Sequence, residues 1–443
     1  MNSMEIFEKL ISIFFSLAIL LNGYLVGRWV KSFIFPASLF CFFWFAYTFF
    51  PLVFLFEVPV NAYSIAFIFF CTLFFSLSSL MFNWQIALTK NSQKLKSPKT
   101  LFKNSYLIKI CYLLFFIILI CLLIDLKIQG FAIFDFINNF YISSNQYLVN
   151  RYNDEIIINI YSQLANVLNY ALTILGGIIL GSGIQNTFKR NKLLLITLFP
   201  STFITLTQSA KGTILLSVIF FFSGILISRI FKNNLELTNK KTNKAILIIF
   251  ISLVFIMFFS FMTRGLYELD GSELYSSLKY NINSYTFGHI YAFSDWFSFH
   301  VFKNSQGYYV DKYYQNGFYT FMAIFKALGD TTIVPPGVFD EYFSYKNIFV
   351  TNIYTFFRGT ISDFGILGSM FFFFCTGILT NFSFYTLLSS KKPLWTIPFF
   401  GIMLGYFYTS FIISLFIWKS IFGSIVVLVV ILKINYIKNR NVL

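Results

Sequence analysis

From one end of this chain to the other, apolar runs recur at about the 20 residues that a helix needs to cross the hydrocarbon core of a bilayer. A helix satisfies every backbone amide and carbonyl within itself, so such runs have few other ways to fold in lipid. They lie at 6–27, 33–56, 62–83, 106–124, 156–183, 193–208, 213–230, 245–262, 362–388, 395–417 and 420–437. They predict an all-α polytopic membrane protein of about eleven spans, within a range of roughly ten to thirteen. Composition agrees, because only 11% of the residues are charged where a soluble domain has about a quarter. The first run, around Leu10 to Val26, has the length of a signal peptide. Glu5 and Glu8 offset Lys9 ahead of it and no small-residue cleavage site follows, so it reads as a retained span. The five cysteines (Cys41, Cys71, Cys111, Cys121 and Cys375) sit inside apolar runs without paired or metal-ligand spacing, and read as packing residues.

The connections between runs carry the charge. Gln85 to Asn104 holds Lys90, Lys94, Lys96, Lys99 and Lys103; Ile184 to Lys192 holds Lys189, Arg190 and Lys192; Lys232 to Lys244 holds four lysines. Basic residues flanking spans stay in the cytoplasm. Placing these loops inside puts the N-terminus outside and the C-terminus inside, with 16 of the 17 acidic residues outside and only Glu236 inside. The net charge of +16 is then a topology signal, with anionic lipid headgroups as partner and no groove for nucleic acid.

Two outer connections are long. The smaller covers 125–155, within a bundle that extends over 1–262; the larger covers 263–361, before the last helices at 362–443. The larger loop has 99 residues, with both histidines of the chain, 8 of its 17 acids and 13 of its 27 tyrosines. A connection needs few residues, so a loop of this size carries function. It reads as a set of amphipathic helices on the outer face.

Four groups of residues bear chemistry. Lys211, in Gln208-Ser209-Ala210-Lys211-Gly212, stands at an outer turn, where a lysine either snorkels to the interface or meets an anion. Arg264, in Thr263-Arg264-Gly265, follows the eighth run at headgroup depth, as an interfacial anchor or a phosphate ligand. Arg358 lies in the polar stretch Asn352 to Gly365, where Asp363 reads as a cap for the helix of the ninth run. His289 lies in Ser284 to Trp296; if helical, that segment puts His289, Phe293, Trp296 and His300 on one face of an amphipathic helix at the interface. His289 is there either a structural histidine or a general base. The tyrosines of the loop, among them Tyr308, Tyr309, Tyr313, Tyr314 and Tyr319, suit both a membrane interface and the faces of sugar rings. Nothing in the sequence forms a Gly-rich phosphate loop, a nucleophile elbow or a metal-ligand cluster, so no metal and no cofactor is expected.

Taken in order, Ser-Ala-Lys-Gly (209–212), Thr-Arg-Gly (263–265), Tyr-x-x-Gly-His-x-x-Ala-Phe (285–293) and the stretch 352–365 in the form N-x-Y-T-x-F-R-x-x-x-x-D-F-G resemble the bacterial oligosaccharide repeat-unit polymerases. These are the O-antigen or capsule polymerases of the Wzy type. The resemblance covers roughly the C-terminal half and the turn at 209–212, and its last motif is the most specific. A departure is Lys211, where relatives carry Arg; the positive charge is kept and the planar fork is lost.

The resemblance implies a polytopic glycosyltransferase with GT-C-like architecture in the bacterial inner membrane. It implies transfer of the growing glycan from undecaprenyl diphosphate to the non-reducing end of an incoming lipid-linked repeat unit at the outer face. Lys211, Arg264 and Arg358 would hold the diphosphate without a metal. His289 would be the base, with Asp295 or Glu341 behind it, and Tyr285, Trp296 and Tyr354 would meet the glycan. A protein that sets chain length would be a further partner. An O-antigen ligase-like transferase shares this cationic logic. A flippase or other transporter of lipid-linked oligosaccharide would call for more charge in mid-span than Asn166 and Asn169 supply.

Overall fold

The computed structural model describes residues 2–94, 104–183, 186–237, 240–262, 266, 269–310, 315–332, 334, 338–390 and 393–440. In chain order the elements are α1 (Ser3–Val30), α2 (Pro36–Phe54), α3 (Ala62–Leu77), α4 (Trp84–Lys94), α5 (Asn104–Ile128), α6 (Ile133–Asn138), α7 (Phe140–Tyr152), α8 (Ile160–Ser182), α9 (Thr187–Thr207), α10 (Lys211–Phe231), α11 (Lys240–Met262), α12 (Gly271–Ile282), α13 (Gly288–Phe302), α14 (Phe318–Ala327), β1 (Phe343–Tyr345), β2 (Phe349–Thr351), α15 (Thr355–Ser389), α16 (Thr396–Thr409) and α17 (Lys419–Arg440). The protein is an all-α polytopic membrane protein. Among the described residues eight helices are long and apolar enough to span: α1, α2, α3 with the turn after it, α5, α8, α10, α15 and α17.

The other three apolar runs are also helical. The run at 193–208 lies in α9, which opens on Lys189, Arg190 and Lys192 and carries Pro200. The run at 245–262 lies in α11, which opens on Lys240, Lys241 and Lys244. The run at 395–417 ends as a helix at Thr409 and closes in a single 3-10 turn, Leu415–Ile417. The helix expected from 362 begins instead at Thr355 and bends at Gly365, where φ is 71° and ψ 178°. Only glycine adopts that backbone without strain.

The chain folds into two compact units that alternate along the sequence. One comprises Met1–Ala87, Tyr275–Tyr385 and Tyr406–Lys419; the other comprises Leu88–Leu274, Thr386–Gly405 and Ser420–Leu443. In the first unit α1, α2 and α3 pack together and α13 lies against α2 and α3. The sequence predicts α13 to be amphipathic and interfacial. Instead it is buried on most sides, through His289, Ile290, Tyr291, Ala292, Phe293, Ser294, Trp296 and Phe297. Its apolar residues occur all round the helix, which suits a core position.

The β1–β2 hairpin, absent from the all-helical expectation for the loop, pairs Phe343 with Thr351 and Tyr345 with Phe349. It presses on the start of α13, where a Cβ on Gly288 would come within 2.8 Å of Thr351 Cγ2. In the second unit α8 and α10 approach backbone to backbone, because a Cβ on Gly177 would strike the carbonyl of Phe221 and one on Gly224 the carbonyl of Ile174. Between them Ser201 donates to Asn169 Oδ1 at 3.0 Å and to Ser217 Oγ at 2.7 Å.

Candidate functional site

The hairpin brings distant residues together. It turns the chain between Glu341, two residues before β1, and Tyr354, three residues after β2, so that the chain before the hairpin lies beside the start of α15. Tyr354 OH donates to the carbonyl of Glu341 at 3.1 Å, and Asn352 Nδ2 to the carbonyl of Phe339 at 3.4 Å. One turn into α15, Arg358 Nη2 donates to Glu341 Oε1 at 2.9 Å. Arg358 is 3% exposed. Four aromatic rings enclose its guanidinium, whose carbon lies 4.0 Å from the centre of Phe339, 4.2 Å from Tyr354, 5.3 Å from Trp296 and 5.6 Å from Tyr309. Arginine over aromatic faces gains from the ring quadrupoles, more so where water is excluded.

The site is half satisfied. Arg358 Nη2 has its carboxylate, while Nη1 is buried without a hydrogen-bond partner among the described residues. A buried donor left unmade costs about 1–3 kcal/mol, and more when charged. The side chain therefore offers one free edge of a fork shaped for phosphate or carboxylate.

Asp295 belongs to the same neighbourhood through Tyr309. Its Oδ2 accepts from Tyr309 OH at 2.8 Å and from the Gly307 amide at 2.9 Å, and its Oδ1 accepts from the Gln306 amide at 2.8 Å. Three donors fasten this carboxylate to the turn after α13. Burial pushes the Tyr309 and Tyr354 phenols well up, with the neighbouring acids adding to it, so both remain protonated donors.

Of the residues singled out in the sequence, Arg358, Glu341, Trp296 and Tyr354 meet at one place, with Asp295 joined through Tyr309. His289 sits on α13 but is enclosed at 1% exposure. Its Nε2 lies 3.0 Å from the carbonyl of Tyr47, and its ring packs edge-on to Tyr47 and Phe411. Burial holds its pKa down at about 4, against partial support from the carbonyls of Tyr47 and Thr286. The imidazole is therefore neutral and shielded. Tyr285 lies in a π-helical turn, Asn283–Phe287, 38% exposed. Lys211 belongs to the second unit, buried at the start of α10 with Nζ 2.9 Å from the centre of the Phe261 ring. Arg264, with Thr263 and Gly265, lies outside the described residues.

Asp363 corrects the sequence reading. It stands well inside α15 and caps a different helix: Oδ1 accepts from the Tyr319 amide at 3.1 Å, and Oδ2 from the amide and hydroxyl of Thr320, both at 2.7 Å. These are first-turn groups of α14, so Asp363 satisfies them from across the fold. The D-F-G end of the motif is thus structural, a cap followed by the bend at Gly365. Sequence reasoning also missed Phe339, which has no signal beyond standing two residues before Glu341, and Lys9. Lys9 is fully buried in α1, its Nζ donating to the carbonyls of Leu55 and Val58 and to Tyr291 OH at 3.2, 2.7 and 2.8 Å. A lysine inside an apolar run was its only signal.

Among the described residues no group of three or more His, Cys, Asp or Glu side chains could hold a metal ion. Fold and site together define a polytopic membrane protein with a buried, half-paired arginine in an aromatic cage. No family model, no curated protein and no solved structure matches the chain.

Proposed function

We propose that this protein is a glycosyltransferase that polymerises lipid-linked oligosaccharide repeat units at the outer face of a bacterial inner membrane. It would have GT-C-like architecture, about eleven spans, an outer N-terminus and a cytoplasmic C-terminus. The observation that carries this reading is Arg358, buried with one edge on Glu341 and the other edge free. A lipid diphosphate is a ligand whose paired oxygens match that edge.

In the proposed reaction an acceptor hydroxyl of the incoming repeat unit attacks the anomeric carbon of the growing glycan. The new C–O bond forms as the bond from that carbon to the diphosphate oxygen breaks, and the electron pair of the broken bond goes to the leaving diphosphate. The proton of the hydroxyl goes to Glu341. Of the three candidate bases, Glu341 is the one on Arg358, while His289 is enclosed and Asp295 is taken up by three donors. As Glu341 becomes neutral the diphosphate gains charge, so Arg358 exchanges one anionic partner for another and the site keeps its net charge. A preorganised cation in a water-poor site stabilises such developing charge strongly. Trp296 and Tyr354, buried with their rings by the Arg358 guanidinium, would hold the fork in place for the diphosphate. Purified protein given a lipid-linked repeat unit is expected to produce a ladder of longer glycans. Arg358→Lys, which keeps a charge for Glu341 but loses the fork, is expected to produce none.

A further inference from the structure

Thr355 stands three positions before Arg358, at the first residue of α15. Its φ is 67°, a region that β-branched residues avoid. It is fully buried, and its hydroxyl has no hydrogen-bond partner among the described residues. The ordinary task of a threonine at a helix start is to accept an amide of the first turn. Thr355 does not perform it, and the Phe356 amide is taken instead by the carbonyl of Ser410 at 2.9 Å. A strained backbone and a buried unmade hydroxyl therefore coincide next to Tyr354, whose ring lies under the Arg358 guanidinium. Arg358 Nη1, the second buried unmade donor, belongs to the next turn of the same helix. Strain and orphaned donors persist where a ligand completes them.

We propose that Thr355 Oγ1 and Arg358 Nη1 form one subsite for the oxygens of a diphosphate group, with the hydroxyl giving the second hydrogen bond. This rests on the reading of Arg358 given above. The positive end of the α15 dipole adds to the attraction. Backbone strain at residue 355 is then the cost of turning the hydroxyl away from its own helix and toward the anion.

The test uses the full chain in nanodiscs of zwitterionic lipid, titrated calorimetrically with inorganic pyrophosphate and with farnesyl diphosphate. Thr355→Val is expected to bind both about tenfold more weakly, the loss of one hydrogen bond to an anion. Thr355→Ser is expected to stay within about twofold of the parent. Thr355→Gly is expected to melt at a higher temperature, since glycine takes a positive φ freely, yet to bind as weakly as Thr355→Val. That opposition between stability and binding is one a merely structural threonine would not show.

Equal affinity for the two ligands would identify the diphosphate alone as what Thr355 reads. Tighter farnesyl diphosphate would add the lipid as the source, and either result supports the subsite. Parental affinity in Thr355→Gly or Thr355→Val overturns it. If Arg358→Lys weakens binding while Thr355→Val does not, the subsite falls and the reading of Arg358 stands. If Arg358→Lys also binds like the parent, both fall.

Discussion

Two buried charges, one in each compact unit, show what hydrogen-bond satisfaction reveals about role. Asp125, at the end of α5 in the second unit, is 1% exposed. Its Oδ1 accepts from Asn159 Nδ2 at 2.7 Å and Gln129 Nε2 at 3.2 Å, and its Oδ2 accepts from Gln208 Nε2 at 3.2 Å. Those amides come from the residue after its own helix, from the residue before α8 and from the residue after α9, so the carboxylate ties the ends of three helices together. Arg358 in the first unit is equally buried, but one edge is paired and the other is not. A carboxylate whose two oxygens both meet protein donors holds the fold. A charge left half filled, beside a strained residue, is where we propose that a ligand completes the site.

The largest expected effect falls on Arg358. Arg358→Lys should lower polymer formation by about a thousandfold while the protein remains folded and inserted. Arg358→Ala is a poorer probe, because it leaves the half-buried Glu341 without this partner. Parental glycan lengths from Arg358→Lys would erase the contrast between the two charges.

His289 gives the next effect, in stability rather than chemistry. Its pKa is about 4 in the folded protein against an ordinary 6.5, so between these values the unfolded chain binds more protons. The contribution is complete above pH 6.5 and is lost as pH falls, reaching about 3 kcal/mol near the folded pKa. Thermal melts at stepped pH should show that slope, and His289→Gln should remove it. A melt that does not change with acidification would show that the imidazole is not enclosed as described.

Asp125→Ala should destabilise the protein by about 2 kcal/mol, since three half-buried amides lose an acceptor. Its diphosphate affinity should stay within about twofold of the parent. A large loss of affinity there would make Asp125 as functional as Arg358. The smallest change, about 1 kcal/mol of stability, is expected for Ser201→Ala, which removes one hydroxyl from the satisfied cluster between α8, α9 and α10.

The helices were legible because length and apolarity are local properties. Every apolar run forms a helix, and among the described residues eight of the helices have the length and apolarity of a span. Their limits were less legible. The apolar pattern puts the ninth run at 362–388, after the polar stretch that opens at Asn352, yet α15 begins at Thr355 and buries Thr360, Ser362 and Asp363. Polar residues are tolerated there because tertiary partners serve them, as Thr320 does for Asp363.

Arg358 was readable as a cation without a structural role. Its pairing with Glu341, 17 residues away, depends on a hairpin that apolar patterning did not reveal. The same holds for α13, whose Tyr291 receives Lys9 from 282 residues away. The strain at Thr355 is invisible in sequence, because threonine at a helix start is ordinarily a cap.

The account rests on Arg358 working on a lipid-linked diphosphate sugar. The most direct measurement is gel analysis of glycan length after purified protein is incubated with a single lipid-linked repeat unit. A ladder from the parent protein and none from Arg358→Lys is the predicted result. Repeat units that the folded parent protein leaves at their original length, or carries across a vesicle membrane unchanged, would contradict it.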